Sequence, residues 1–206
     1  MVNIPIILLA AGGSTRMRRP KQLLPWGNKT LIEHEVETLL KTDSPVNVVL
    51  GAKANLVGPV VEKYDVHISR NNNWENGMGS SIATGVRDLI QKFPVADGVL
   101  LALVDQPLVP PEHFQSILGI FQPGKKQIIA SIANSGWKGV PVLFDKYYFE
   151  ELQNLNGKEG AKKIIQQHRH AVKYIECGNL LEDMDTPKAY QQMLKTFQSH
   201  FTEKNS

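Results

Sequence analysis

The chain has 206 residues, 42% of them hydrophobic, enough for one sizeable core and within the usual ~100–200 residues of a domain. Its 23 basic and 20 acidic residues nearly cancel, to a net charge of +3, which speaks against nonspecific nucleic-acid binding. The single cysteine, Cys177, excludes an intramolecular disulfide, and no Cys/His zinc spacing occurs. Met1-Val2-Asn3 lacks the positive charge of a signal peptide, and no stretch approaches the ~18–20 apolar residues of a membrane span. The expectation is a cytoplasmic protein with no membrane partner, a single domain over residues 1–200 and a frayed polar tail at 201–206.

Strand and helix patterns alternate along the chain. Ile4–Ala10 is a near-continuous apolar run, as in a strand buried on both faces. Leu31–Leu40 reads as a helix, with Thr30 as N-cap and Glu33 as its capping-box partner. Val46–Gly51 is a second buried strand, Lys53–Lys63 a helix interrupted by Gly58-Pro59, and Val66–Ser69 a short strand. A polar loop from Arg70 to Gly77 leads to a helix with Ile82, Val86, Leu89, Ile90 and Phe93 on one face. Val99–Val104 is a third long strand, and Pro110-Pro111 opens a helix to Phe121. Gln127–Ala133 and Val140–Phe144 are strands, followed by helices near Lys146–Leu152 and Lys158–His168. Val172–Ile175 is the last strand, and Thr186-Pro187 starts the C-terminal helix. The pattern predicts a three-layer α/β/α, Rossmann-like fold with a mostly parallel central sheet.

In such sheets ligands bind at the carboxyl ends of the strands. The first strand ends in Gly12-Gly13-Ser14-Thr15 and runs at once into Arg16, Arg18, Arg19 and Lys21. Small residues let backbone N–H groups approach a ligand, and the cations beyond them suit a polyanion. The chemistry points to a di- or triphosphate clamped by Arg16 and Lys21. Passing over four residues after Gly12 or Gly13 reaches Met17 or Arg18 where a second glycine is needed, so this is no Walker A loop. The adjacent glycines, with Pro20 and Pro25 behind them, do not form a dinucleotide fingerprint either. A plain strand-to-loop turn with solvated basic residues is the competing reading.

Asp105 ends the run Leu100–Val104, where a carboxylate is costly unless it is paired or binds a cation. Asp183-Met184-Asp185 lies at the mouth of the last helix. Asp185 either helps to cap that helix or joins Asp105 in holding one Mg²⁺, an ion that favours one or two carboxylates plus waters and phosphate oxygens. Eighty residues separate the two acids, and periodicity does not say whether they meet. The N–H groups of Gly79 and Ser80 and the Ser81 hydroxyl open a helix; they serve as ordinary caps or receive an anion or the edge of a base. The six histidines show no metal spacing. Trp74 and Trp137 lie in loops, placed either to pack or to stack on a ligand.

Together these residues resemble a known family. LAAGGSTRMRRPKQLLPWGNKTLIEH, residues 9–34, is similar to the LAAGxSxRMGxxKxLLP signature of nucleotidyltransferases with a GT-A-like fold. The nearest branch is the molybdenum cofactor cytidylyltransferases. Further matching segments are VVLGA at 48–52, NNWENGMGSSIATG at 72–85, LVDQP at 103–107, GVPVLF at 139–144 and DMDTPKAY at 183–190. The resemblance implies that Leu9, Ala10, Ala11 and Gly12 line the base and phosphates, and that Arg16 and Lys21 clamp the triphosphate. Gly79 and Ser81 would face the base and ribose. Asp105 and Asp185 would carry Mg²⁺, and Lys21, Arg16 and Asp105 would form the catalytic set. Ala11, where the guanylyltransferase branch has Gly, favours CTP over GTP.

The implied reaction is transfer of CMP from CTP to a terminal phosphate of molybdopterin, with pyrophosphate released. Alternatives are a sugar- or polyol-phosphate acceptor, and a non-catalytic accessory protein that holds nucleotide or molybdenum cofactor for a molybdoenzyme partner. Three departures from the family pattern stand out: Arg18 for Gly, Val140 in a position often polar, and Lys158 where Asp is frequent. Arg18 keeps the binding-only alternative open; the other two lie in the half expected to hold the acceptor.

Overall fold

The computed structural model describes residues 2–14, 17 and 19–203, and only the backbone of 200–203. Nine strands and seven α-helices follow in order among these residues. They are β1 (Ile6–Ala10), β2 (Pro25–Trp26), β3 (Lys29–Thr30), α1 (Leu31–Leu40), β4 (Val46–Leu50), α2 (Ala54–Val61), β5 (His67–Arg70) and α3 (Met78–Lys92). Then come β6 (Gly98–Leu103), α4 (Pro111–Gly119), β7 (Ile128–Ile132), β8 (Lys138–Asp145), α5 (Phe149–Gln153), α6 (Lys162–Gln167), β9 (Val172–Glu176) and α7 (Pro187–Glu203).

Seven strands form one sheet in the order β5-β4-β1-β6-β8-β7-β9. β1 lies at its centre, with Ile6 opposite Val46 on one side and Leu100 on the other, both neighbours parallel. β8 alone runs against its neighbours β6 and β7. The alternation of side chains along β1 divides the core. Ile6, Leu8 and Ala10 pack with Leu31, Val36, Val57, Phe114 and Met193 from α1, α2, α4 and α7. Ile7, Leu9 and Ala11 face Ile82, Val86, Leu152 and Ile164 from α3, α5 and α6. The result is the expected three-layer, mostly parallel α/β/α arrangement.

Chain order reverses beside β1: the connection after β1 leads to β4 on one side, while β6 lies on the other. A crevice opens at such a switch point, at the carboxyl ends of the strands. The loops after Ala10 and Leu103 therefore meet at one edge of the sheet.

Local chemistry sets the element boundaries. Thr30 and Glu33 form the expected capping box, with the Thr30 N–H donating to Glu33 Oε2 at 2.8 Å. The helix expected over Lys158–His168 shortens to Lys162–Gln167, because Gly157 and Gly160 take φ of +85° and +57°. The Lys146–Leu152 helix divides into a 3-10 turn at Lys146–Tyr148 and α5. A small hairpin, β2–β3, turns through Gly27 at φ +63° and was not visible as a strand pattern. The C-terminal helix continues to Glu203, three residues into the stretch expected to fray.

Candidate active site

A cleft of about 450 Å³ opens at the switch point, with Leu9, Ala11 and Gly12 on its floor and Lys21, Asp105 and Asp185 at one side. Among the described residues, a hollow of about 510 Å³ between the β2–β3 hairpin, α1 and α7 shares none with it and holds none of the predicted site residues.

Strand alternation explains which first-strand residues reach the cleft. Leu9 and Ala11 face it, whereas the Ala10 side chain points into the opposite core layer. Ala10 takes part through its carbonyl, which accepts a 2.8 Å hydrogen bond from Gln22 Nε2. The same amide donates to the Gly12 carbonyl at 3.1 Å, so one buried side chain latches both ends of the turn. Ser14, at φ +53°, completes the loop: its hydroxyl accepts the Lys21 N–H at 3.0 Å. Sequence reasoning missed Gln22; its only signal was its place between Lys21 and the apolar pair Leu23-Leu24. Replacing Gln22 with Ala strands two backbone acceptors and is expected to cost about 1–3 kcal/mol, read as a lowered denaturation midpoint. An unchanged midpoint would show that the latch is unnecessary. Arg16 and Arg18 lie outside the described residues.

The three distant polar groups converge. Lys21 Nζ lies 2.5 Å from Asp105 Oδ2 and 3.1 Å from Asp185 Oδ1. A backbone hydrogen bond from Met184 N to the Asp105 carbonyl, 2.8 Å, docks the 183–185 segment against the end of β6. Thr186 performs the capping: its Oγ1 accepts from Ala189 N at 3.1 Å, while the Asp185 carboxylate turns to Lys21. Burial pulls the Lys21 ammonium down, but Asp105 and then Asp185 outweigh it and hold its pKa above the ordinary 10.5.

Asp183, which sequence reasoning did not assign, also lines the cleft. Burial, and then the charge of Asp105, push its carboxyl up to about 6, although Gln106 Nε2 donates to it at 2.9 Å. Behind Asp105 lies Glu35 on α1, 1% exposed, its carboxyl held well above the ordinary 4.5 by burial and then by the charge of Asp105. The folded protein thus keeps a proton on Glu35 that the unfolded chain releases above about pH 4.5. Glu35→Gln should therefore gain stability over the parent as pH rises from that point, by at most about 1.4 kcal/mol per pH unit. Denaturant melts at pH 4.5 and 7.5 check it; a gap that does not widen would contradict the buried neutral acid.

On the other wall, the start of α3 differs in part from expectation. The Gly79 N–H donates to the Gly157 carbonyl at 2.9 Å, and the Ser80 N–H to the Gly77 carbonyl at 3.1 Å. Neither is directed at a ligand, and a Cβ on Gly79 would come within 2.8 Å of the Asn156 backbone. Gly79 thus serves close packing, and its N–H is already taken. Ser81 does line the cleft. Buried Asn71, also missed, fixes it: Nδ2 donates to the Ser80 and Ser81 hydroxyls at 2.9 and 3.0 Å. Trp74 closes this side by packing over Gly13 and Gly51; a Cβ on Gly51 would lie 2.6 Å from the Ala11 carbonyl.

The residues fit a divalent cation. Two carboxylates already share one cation, the Lys21 ammonium, at a position facing the glycine turn. No group of three or more His, Cys, Asp or Glu is placed to hold a metal ion among the described residues. A two-carboxylate site of this kind matches ions that keep several waters and take phosphate oxygens, as magnesium does. Asp105, Asp183 and Asp185, which all line the cleft, also make this side of it acidic among the described residues. A triphosphate entering there requires additional positive charge.

A family model described as the MobA-like NTP transferase domain matches residues 6–172. The chain is 32% identical over 200 residues to the nicotine blue oxidoreductase of Paenarthrobacter nicotinovorans, covering 91% of this chain and 95% of that one. It is 25% identical over 189 residues to the molybdenum cofactor cytidylyltransferase of Escherichia coli K12, covering 91% and 93%. A Mycobacterium tuberculosis H37Rv protein solved in complex with manganese superposes with a TM-score of 0.78 at 25% identity, covering 94% and 98%. No helix among the described residues is long and apolar enough to cross a membrane.

Proposed function

The chain belongs to the MobA-like NTP transferase family and is a nucleotidyltransferase; we propose that it moves CMP from CTP to a terminal phosphate of molybdopterin. The observation that carries this reading is the Lys21 ammonium held between Asp105 and Asp185, beside a turn floored by Leu9, Ala11 and Gly12. The cytidylyltransferase relative supports the choice of CTP and of the acceptor. Ala11, whose methyl narrows the floor relative to glycine, supports the pyrimidine nucleotide.

An oxygen of the acceptor phosphate forms a bond to the α-phosphorus of CTP, and the bond from that phosphorus to the bridging oxygen breaks, so that pyrophosphate leaves. The attacking group needs little help from a base, since a phosphomonoester has its second pKa near ~6. The obstacle is repulsion between a dianion and a tetra-anionic nucleotide, so the protein must position the two in line and neutralise charge. Lys21 supplies one positive charge, and Arg16 a second. Asp105 and Asp185 would hold Mg²⁺, which supplies further countercharge on the phosphates when bound; the manganese complex of the mycobacterial relative supports a divalent ion here. Gln22 and Ser14 keep the turn and Lys21 in register with those acids. Ser81, fixed by Asn71, faces the nucleoside.

A panel of nucleotides and phosphorylated acceptors, read by magnesium-dependent pyrophosphate release, tests the proposal. CTP with molybdopterin should give the highest kcat/KM. Preference for a sugar or polyol phosphate would move the acceptor to that class, and CTP binding with no turnover against any acceptor would leave an accessory role for a molybdoenzyme.

A further inference from the structure

A second hollow, about 390 Å³, adjoins the catalytic cleft, and Asp183 lines both. Its wall carries Trp137, in the loop between β7 and β8. Trp137 is 40% exposed. The indole lies against Gly139, where a Cβ would come within 2.6 Å of the ring. Glycine at this point lets the ring rest on the strand and leaves its outer side open. The loop is anchored at both ends: Ala133 N donates to the Trp137 carbonyl at 2.9 Å, and Asn134 N to the Gly178 carbonyl at 2.8 Å. The second bond ties it to the segment that leads on to Asn179, Glu182 and Asp183.

The chemistry of this hollow is specific. One flat aromatic face stands beside Asn179, Glu182 and Asp183, a set rich in hydrogen-bond acceptors. A linear polyol presents hydroxyls but no flat face for the indole. A planar nitrogen heterocycle with amino and ring N–H donors matches both, with the ring on Trp137 and the donors on the carboxylates. Because Asp183 borders both spaces, a phosphate tethered to that ring reaches toward Lys21.

We infer that Trp137 is the stacking platform for a flat, N–H-bearing heterocycle of the acceptor, and that it sets acceptor specificity. The inference rests on the nucleotidyl-transfer reading and adds the residue that reads the acceptor ring. It is tested with 6-hydroxymethylpterin as the probe, followed by quenching of its own fluorescence, in the parent, Trp137→Ala and Trp137→Phe. Stacking predicts that Trp137→Ala weakens binding at least about tenfold, while Trp137→Phe stays near the parent. Ribitol 5-phosphate should not displace the probe. In turnover with the phosphorylated pterin, Trp137→Ala should raise the acceptor KM and leave the KM for CTP unchanged.

Equal binding by the parent and Trp137→Ala overturns the inference, as does displacement by ribitol 5-phosphate or failure of the parent to bind the pterin. Pyrophosphate release with sugar phosphates alone, unaffected by Trp137→Ala, also overturns it while leaving nucleotidyl transfer intact. Absence of pyrophosphate release with every acceptor, alongside Trp137-dependent pterin binding, instead rejects the transfer reading.

Discussion

Asp105→Asn is expected to lower kcat/KM for pyrophosphate release by about 10³-fold, with the folded structure retained. The substitution removes a charge and preserves the shape. The backbone carbonyl of Asp105, not its side chain, docks the last loop through Met184, so that loop stays in place. What is lost is one of the two carboxylates around the shared cation position, and with it the ordering of Lys21, whose ammonium sits 2.5 Å away. Because the site must bring two polyanions together, the loss of a cation-holding group falls on the transition state. The check is steady-state kinetics beside a denaturation curve. Near-normal turnover in a folded variant would remove Asp105 from the catalytic set.

Lys21→Met is expected to act in two directions at once. Turnover should fall by about 10²-fold or more, because the positive charge proposed to meet the triphosphate is gone. Binding of Mn²⁺ in the absence of nucleotide should tighten, because the ammonium no longer occupies the space between Asp105 and Asp185. Methionine keeps the length of the side chain, so the wall of the cleft is not emptied. Unchanged kcat/KM would reject Lys21 as a phosphate clamp. Weaker Mn²⁺ binding would place the metal elsewhere than between the two acids.

Much of this site was legible because the fold places strand ends together. An apolar run that stops at Gly12, and another that stops at Asp105, announce two strand ends, and parallel neighbours bring such ends to one edge. The meeting of Asp105 with Asp185 was not legible from periodicity, since it depends on a loop returning eighty residues later and docking through backbone atoms. Gln22, Asn71 and Asp183 were missed for a related reason. They act by hydrogen bonds or charges to partners remote in sequence, or to main-chain carbonyls, and leave no spacing to detect.

Three further differences have local causes. Ala10 was grouped with Leu9 and Ala11, yet strand alternation turns its side chain to the other layer. The reversed direction of β8 is explained by the short 133–137 connection with Gly136 at φ +83°, too short for the crossover that a parallel pair requires. The start of α3 looked like an anion site by composition. In the folded protein the loop at Asn156–Gly157 covers it and takes the Gly79 N–H, leaving Met78 and Ser81 to line the cleft.

The shared cation position is tested most directly by electron paramagnetic resonance titration of Mn²⁺, with and without CTP, on the parent, Asp105→Asn and Asp185→Asn. The account predicts one bound Mn²⁺ per chain that tightens when CTP is present, and a loss of affinity of at least about tenfold in each single variant. Retention of parental Mn²⁺ affinity by both variants would contradict it.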